Sequence, residues 1–437
     1  MALDLALCRK AIASEHPRVG GTLHRLNGST LEAKLPEART GAIYRIPARE
    51  GEDLLVEVIG FKQKDAILAP FSDPRGVSPG DPVIPEGVTD VQVLGDHHLG
   101  RVIDPLGRPM DDRPPPIGNH RIALYRSSPN PMKRQHIETP IRTGVSVIDV
   151  MTTVGRGQRV GLFAGAGVGK STLLGMLARH SDADVNVVAL IGERGREVRS
   201  FIENDLGEEG LRKSVVVVAT GDTAPILRIR ASFLAATIAE YYRDRGRSVL
   251  LLMDSLTRLA HAGREVGLAG GEPPTTRGYP PSVFSMLPRL LERAGNSDSK
   301  GSLTAFYTVL VDGDDLNEPV ADAARSTLDG HIVLSRRIAE TNRFPAVDIP
   351  ASLSRLASEL VSPEQADVVA QVRRILAEYD EVRDLIQVGA YRPGTDPQVD
   401  RTVRLHPRVV DFFRQDRAKA RVLEEDIAGL AAILGDN

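Results

Sequence analysis

The stretch that decides the fold is RVGLFAGAGVGKSTLLGMLARH, residues 159–180. It opens with an apolar run of strand length, 159–164, and closes from Lys170 with apolar residues at helical spacing. Between them lies AGAGVGKS, Ala164 to Ser171. Phosphate oxygens need several donors converging from a concave loop, and glycine lets a backbone wrap that tightly with its N–H groups inward. Gly165, Gly167 and Gly169 supply that freedom, with Ala166 and Val168 between them, and a helix beginning near Lys170 adds its positive end. In such a loop Lys170 reaches the β- and γ-phosphates, and the Ser171 hydroxyl, followed by Thr172, ligates Mg²⁺. Ala164 stands where glycine is usual, and its small side chain at a strand end is compatible with the turn.

Outward from this loop, apolar runs recur at 185–191, 214–219, 248–253 and 303–311, separated by helix-length segments. That pattern predicts an α/β domain with a parallel sheet covered on both faces. Ligands of such sheets bind at the carboxyl ends of the strands, so residues just past each run carry the chemistry. SVLLLMDS ends in Asp254, a carboxylate placed to hold a Mg²⁺ shell. VVALIGERGRE places Glu193 just past its strand, where a carboxylate can orient an attacking water; the alternative is a surface glutamate paired with an arginine. Arg355 ends ASLSR, and an arginine suits the charge that develops on a transferring phosphoryl group. Phe344 in NRFPAVD is a purine-stacking candidate or a core residue.

On either side the pattern changes. Residues 18–90 read as short strands broken by Gly20–Gly21, Asn27–Gly28, Gly51 and Asp73–Pro74, the signature of a small sandwich or barrel. A Pro-rich connection, 113–131, reads as an exposed extended linker. Beyond Ser362 the chain is helical in pattern, opened by a Ser362/Gln365 capping box, and the turn PGTD (393–396) precedes further helix.

Composition bounds the rest. The 437 residues include 55 Lys+Arg against 58 Asp+Glu, a net charge of −3, so recognition of nucleic acid by bulk charge is not expected. A single cysteine, Cys8, excludes a disulfide scaffold and suits a reducing compartment. No run approaches the ~20 apolar residues of a membrane span, and Asp4 within the first apolar run argues against a secretory signal. Only nine of the basic residues are lysines, against 46 arginines, which gives Lys170 added weight and any single arginine little.

The combination GLFAGAGVGKST, LIGERGREV, LLLMDSLTR, LDGHIVLSR and FPAVDIPASLSR resembles the hexameric ATPases related to the rotary ATP synthase α and β subunits. The resemblance runs from Gly20 to about Phe413 and includes GRVIDPLGRPMD (100–111), read as the end of the small N-terminal domain. Three segments, 270–295, 307–336 and 384–397, are similar to the type III protein-export ATPases of the flagellum and of virulence secretion systems, and Gly389–Tyr391 (GAY) looks more flagellar. DEVRDLIQVGAY stands where a rotary β subunit would carry an acidic segment.

The resemblance implies a P-loop NTPase sheet core with an N-terminal β-barrel and a C-terminal helical domain, divided as 1–90, 91–355 and 356–437. It implies ATP and Mg²⁺ as cofactors, Lys170, Ser171 and Asp254 at phosphate and metal, and Glu193 as the catalytic carboxylate. Arg194 falls in the family's GER signature, Arg258 matches a phosphate-sensing arginine, and Arg355 matches a finger donated to the adjacent subunit of a homohexamer. Phe344 stands where relatives often have tyrosine against adenine, and 263–281 resembles a loop facing a central pore. The implied partners are a stator-like regulatory protein docked on Leu3, Leu5, Leu7 and Ile12, the export gate, chaperones and protein substrates. The implied location is cytoplasmic, peripheral to the inner membrane. Alternative readings are a rotary catalytic subunit, an RNA-translocating terminator helicase and a non-catalytic nucleotide-binding assembly subunit. The small domain shows no aromatic-plus-basic platform for single strands.

Overall fold

Alternation along the buried strands sets the architecture. Along Val185–Glu193, Ser214–Thr220, Ser248–Asp254 and Ser302–Leu310, successive residues point to opposite faces, and both faces are apolar. Val187, Val217, Leu251 and Ala305 join one core with the helices Pro225–Arg243, Leu256–Ala269 and Pro281–Leu291. Val188, Val216, Leu252 and Phe306 join a second core with the helices Ser146–Met151 and Lys170–His180 and with the C-terminal helices. The computed structural model describes residues 20–48, 51–86, 90–311 and 318–435. The N-terminal docking residues Leu3, Leu5, Leu7 and Ile12, together with Cys8, lie outside the described residues.

Among the described residues the central sheet has eight strands, ordered Leu353–Ser354, Gly330–Leu334, Arg159–Ala164, Ser302–Leu310, Ser248–Asp254, Val185–Glu193, Ser214–Thr220 and Arg101–Ile103. All pair in parallel except the first, which runs antiparallel to Gly330–Leu334. The five predicted strands are present to within a residue or two at their ends. The edge strand Arg101–Ile103 adds to the nucleotide-domain sheet beside Val215–Val217, on the nucleotide-domain side of the 90/91 division and not at the end of the small domain. Three residues are too few for periodicity to register. Arg101 is held there by Asp111, which accepts from its Nε at 2.7 Å, and by the Pro114 carbonyl.

Before the sheet, six short antiparallel strands close into a barrel, ordered Gly21–Asn27, Thr30–Lys34, Asp65–Pro70, Leu54–Lys62, Ile43–Ile46 and Pro82–Pro85. Pairing of Gly21 with Val83 closes it around Leu31, Val56, Val58 and Leu68. Ile43, Ala69 and Phe71 on the barrel pack against Ile226 and Leu227 at the start of the long helix below. The Pro-rich connection is mostly exposed, but His120–Ala123 within it pairs with Val91–Leu94, and Leu124 is buried.

After the sheet come the helices Pro363–Gln387, Pro397–Phe412 and Leu423–Gly435. The Ser362 hydroxyl accepts from the Gln365 backbone N–H at 3.2 Å, which is half of the predicted capping box. The Gln365 amide does something else. It crosses to the helix Ser146–Met151 and donates to the carbonyls of Asp149 and Val150 and to Thr153 Oγ1, at 2.9–3.1 Å. A buried amide with partners on another domain is a better anchor than a solvated cap. Among the described residues, no helix is long and apolar enough to cross a membrane.

Gln365→Ala would strand buried acceptors, each costing about 1–3 kcal/mol. The variant should therefore unfold its C-terminal helices at lower urea than wild type, with the P-loop domain less affected. Coincident wild-type and variant transitions would refute the anchoring role.

Candidate active site

The loop Ala164–Ser171 leaves the strand Arg159–Ala164 and enters the helix Lys170–His180. Gly167 and Gly169 adopt positive φ, 77° and 87°, the left-handed conformation that makes the loop concave. Gly165 and Val168 are buried, while Ala166 and Gly167 are exposed on the loop surface. Ser171 is exposed and Thr172 half-buried in the first turn of the helix, where the orphan N–H groups and the helix dipole favour an anion.

Lys170 is the convergence point. Its Nζ donates to Asp254 Oδ1 at 2.6 Å and to Glu193 Oε1 at 3.3 Å. The three side chains are 13%, 4% and 14% exposed, so little water screens the charges. Burial works against the Lys170 ammonium, but Asp254 and then Glu193 outweigh it and raise its pKa. Glu193 goes the other way. Burial first, and then the repulsion of Asp254, push its carboxyl up to about 7, with Lys170 opposing.

Glu193 reaches this position through an irregularity. The pairing of its strand with Ser214–Thr220 runs Ile191 to Ala219 and then Glu193 to Thr220, so Gly192 is an extra residue with φ 73°. Strict alternation would turn Glu193 to the face of Ile191, away from the P-loop helix; the bulge returns it. A Cβ on Gly192 would lie 2.9 Å from the Arg258 Cβ, so only glycine permits the packing. Arg258 sits in the first turn of Leu256–Ala269, its backbone N–H capped by Ser255 Oγ at 3.3 Å. Its Nε is buried and has no hydrogen-bond partner among the described residues.

The remaining candidates stand at different distances. Phe344 lies beside the loop, with two ring carbons 3.3 Å from where a Gly169 Cβ would be. Arg194 points outward, 80% exposed, and pairs with Glu197 at 3.3 Å; it is not brought to Lys170. Arg355 is exposed at the sheet edge, with its Nη2 on the Arg325 carbonyl at 3.5 Å. Its neighbour Ser354 pairs with Gly330, which pairs with Val160 at the start of the P-loop strand. Arg355 is thus near the amino ends of the strands, whereas the phosphate loop is at their carboxyl ends.

Two contributors escaped the sequence. Gln415 donates its backbone N–H to the Phe344 carbonyl at 3.0 Å, and its side chain binds the Gly144 carbonyl and the Ser146 N–H. It ties the C-terminal domain to the loop that carries the aromatic ring, and nothing in the sequence marks it. Thr308 on the neighbouring strand donates to Asp254 Oδ1 at 2.6 Å; its only sequence signal was a hydroxyl inside an apolar run.

A glycine-lined anion cradle with one lysine and two strand-end carboxylates is the equipment for binding and hydrolysing a nucleoside triphosphate. The family model described as the ATP synthase alpha/beta family, nucleotide-binding domain, matches residues 144–354. The T3SS EscN ATPase C-terminal domain model matches 361–432. A flagellum-specific ATP synthase of Bacillus subtilis is 46% identical over 95% of this chain and 95% of its own length. A type 3 secretion system ATPase of Xanthomonas euvesicatoria is 46% identical over 99% of this chain and 98% of its own. The chain belongs to the flagellar and type III secretion ATPase family. Its structure agrees: the assembled ATPase EscN from the enteropathogenic E. coli type III secretion system superposes with a TM-score of 0.90 at 44% identity, over 95% of this chain and all of that one. EscN in complex with its central stalk EscO superposes at 0.87. In this family member the sequence expectations of a barrel, a P-loop sheet domain and C-terminal helices hold.

Removing Lys170 would leave two buried carboxylates facing each other. Lys170→Ala should lower stability in nucleotide-free buffer by about 3 kcal/mol, the scale of a broken buried ion pair. Adding Glu193→Gln should restore part of the loss. Urea midpoints equal to wild type for the single variant would mean that the ammonium does not hold the pair together.

Proposed function

We propose that this chain hydrolyses ATP·Mg²⁺ at the interfaces of a homohexamer and that the turnover drives protein export through a flagellar or related type III apparatus. The observation that carries the reading is the convergence of Lys170, Asp254 and Glu193 on the glycine-lined loop. The residues suit the cofactor. The Gly167 and Gly169 turns offer backbone donors to the phosphates, and the buried Nε of Arg258, without a partner among the described residues, is a donor that an anion would satisfy. Ser171 and Asp254 are hard oxygen ligands, the donor type Mg²⁺ requires. Bound there, Mg²⁺ would neutralise charge on the phosphate oxygens.

Each side chain then has a task. Lys170 moves from the carboxylates to the phosphates, and Glu193, freed of its ammonium, orients the attacking water. Burial and then the nearby Asp254 raise the Glu193 carboxyl even while Lys170 is paired with it, the direction that favours accepting a proton. Phe344 stacks on the adenine, with Gln415 fixing its backbone. Arg194, exposed beside Glu193, is available to a group arriving from outside the subunit.

A finger in trans is supported by distance. Val160 lies four residues before Ala164, roughly 13 Å along the strands, and the Arg355 strand is two strand spacings, about 10 Å, across from it. That is farther than one arginine reaches, which supports a role for Arg355 at a neighbouring copy's cradle rather than at its own. The assembled state of EscN supports such an oligomer. A stalk-like partner, as EscO is for EscN, and a stator-like protein at the N-terminus would regulate it. Export gate, chaperones and substrates complete the partners, at the cytoplasmic face of the inner membrane. The near-neutral net charge of −3 fits protein cargo better than nucleic acid.

Glu193→Gln should bind ATP normally but turn over about 100-fold more slowly or worse, the usual scale of a lost general base. Phosphate release near the wild-type rate would sink the assignment. Arg355→Ala and Lys170→Ala subunits, each inactive alone, should regain ATPase activity when co-assembled. Mixed oligomers that stay inactive would rule out a finger in trans.

A further inference from the structure

Asp254 carries two bonds on one oxygen. Lys170 Nζ and Thr308 Oγ1 both reach Oδ1, each at 2.6 Å. The two donors differ in kind. Lys170 is a charged group on a long stem whose proposed work lies at the phosphates, so its hold on Asp254 is temporary. Thr308 is fixed. It sits in the middle of a buried parallel strand, its side chain is inaccessible to solvent, and Met253 pairs in register with Tyr307 immediately before it. The hydroxyl also lies 3.3 Å from the Met253 carbonyl, a second contact that restricts its rotation. β-branching narrows χ1 further.

We infer that Thr308 is a positioning residue for the metal site: its hydroxyl pins one oxygen of Asp254 so that the carboxylate keeps its orientation when Lys170 leaves for the phosphates. A neutral donor suits this task, because it satisfies one lone pair without bringing a positive charge that would compete with a cation. With Thr308 absent, departure of Lys170 would leave a nearly buried carboxylate free to rotate about χ2, which is a broad torsion in aspartate. The cation would then have to order its own ligand. Partners of metal ligands placed in this way commonly contribute 10- to 100-fold in metal affinity.

The inference rests on the ATP·Mg²⁺ reading of the site, and one experiment separates the two. ADP affinity is measured by calorimetry in MgCl₂ and in EDTA for the wild type, Thr308→Val, Thr308→Ala and Thr308→Ser. Wild type should bind ADP more tightly with Mg²⁺. Thr308→Val and Thr308→Ala should lose about 10-fold or more of that gain while keeping wild-type affinity in EDTA. Thr308→Ser, which retains the hydroxyl, should keep most of the gain. The EDTA arm reports an intact cradle, which a merely structural lesion would not leave untouched. A wild type with no Mg²⁺-dependent gain overturns the metal reading itself, and this inference with it. A wild type with the gain and a folded Thr308→Val or Thr308→Ala that keeps it overturns the role of Thr308 alone. Equal losses in EDTA and in MgCl₂ overturn it as well, since they would report damage to the loop rather than to the carboxylate.

Discussion

Lys170 is shared by carboxylates from two other strands, at 2.6 Å from Asp254 and 3.3 Å from Glu193, and the site depends on that meeting. It happens because parallel strands end together. Arg159–Ala164 pairs with Ser302–Leu310, which pairs with Ser248–Asp254, which pairs with Val185–Glu193, all in parallel register. A slip of one residue in any of these pairings would turn a whole strand over and remove its carboxylate from the loop. The two apolar cores enforce the register, since a slip would exchange their contents. Packing energy spread over many valines and leucines thus fixes the position of three charges.

The same sheet explains how the outer domains are attached. The barrel touches the nucleotide domain through a small apolar patch, Phe71 and its neighbours against Ile226 and Leu227. The C-terminal helices are bound more specifically. Gln365 grips the helix Ser146–Met151, and Gln415 grips both the turn before that helix and the Phe344 carbonyl. Between the segment after Phe344 and these helices lies a cavity of about 800 Å³, walled by Pro345, Ile349, Tyr379, His406 and Phe413. A displacement of the Phe344 loop would therefore be felt first by the C-terminal domain, through polar contacts that either hold or break.

Legibility followed the strength of local signals. The P-loop was readable because its glycines, lysine and serine are adjacent in sequence, and the long apolar strands were readable because each is buried on both faces. The barrel strands were readable from their turns, although the closing strand Pro82–Pro85 was not. Arg101–Ile103 was not legible as a strand of the central sheet, because a three-residue edge strand has no period of its own. The capping box at Ser362 was half right: the backbone part is local, but the Gln365 side chain found a buried tertiary partner that no local rule contains.

The sequence by itself determined the phosphate loop, the strand-end carboxylates and the family, since these depend on residue types at short, fixed spacings. Only the tertiary structure decided where those groups point. The bulge at Gly192 that turns Glu193 toward Lys170 is a backbone irregularity, and simple alternation predicts the opposite face. The separation of Arg355 from its own cradle comes from the register of an antiparallel edge strand. The hydroxyl on Asp254 comes from a strand 54 residues away in sequence. Spacing along a chain can nominate the members of a charged site, but their orientation depends on how strands end and bulge beside one another, and that is fixed by packing between segments far apart in sequence.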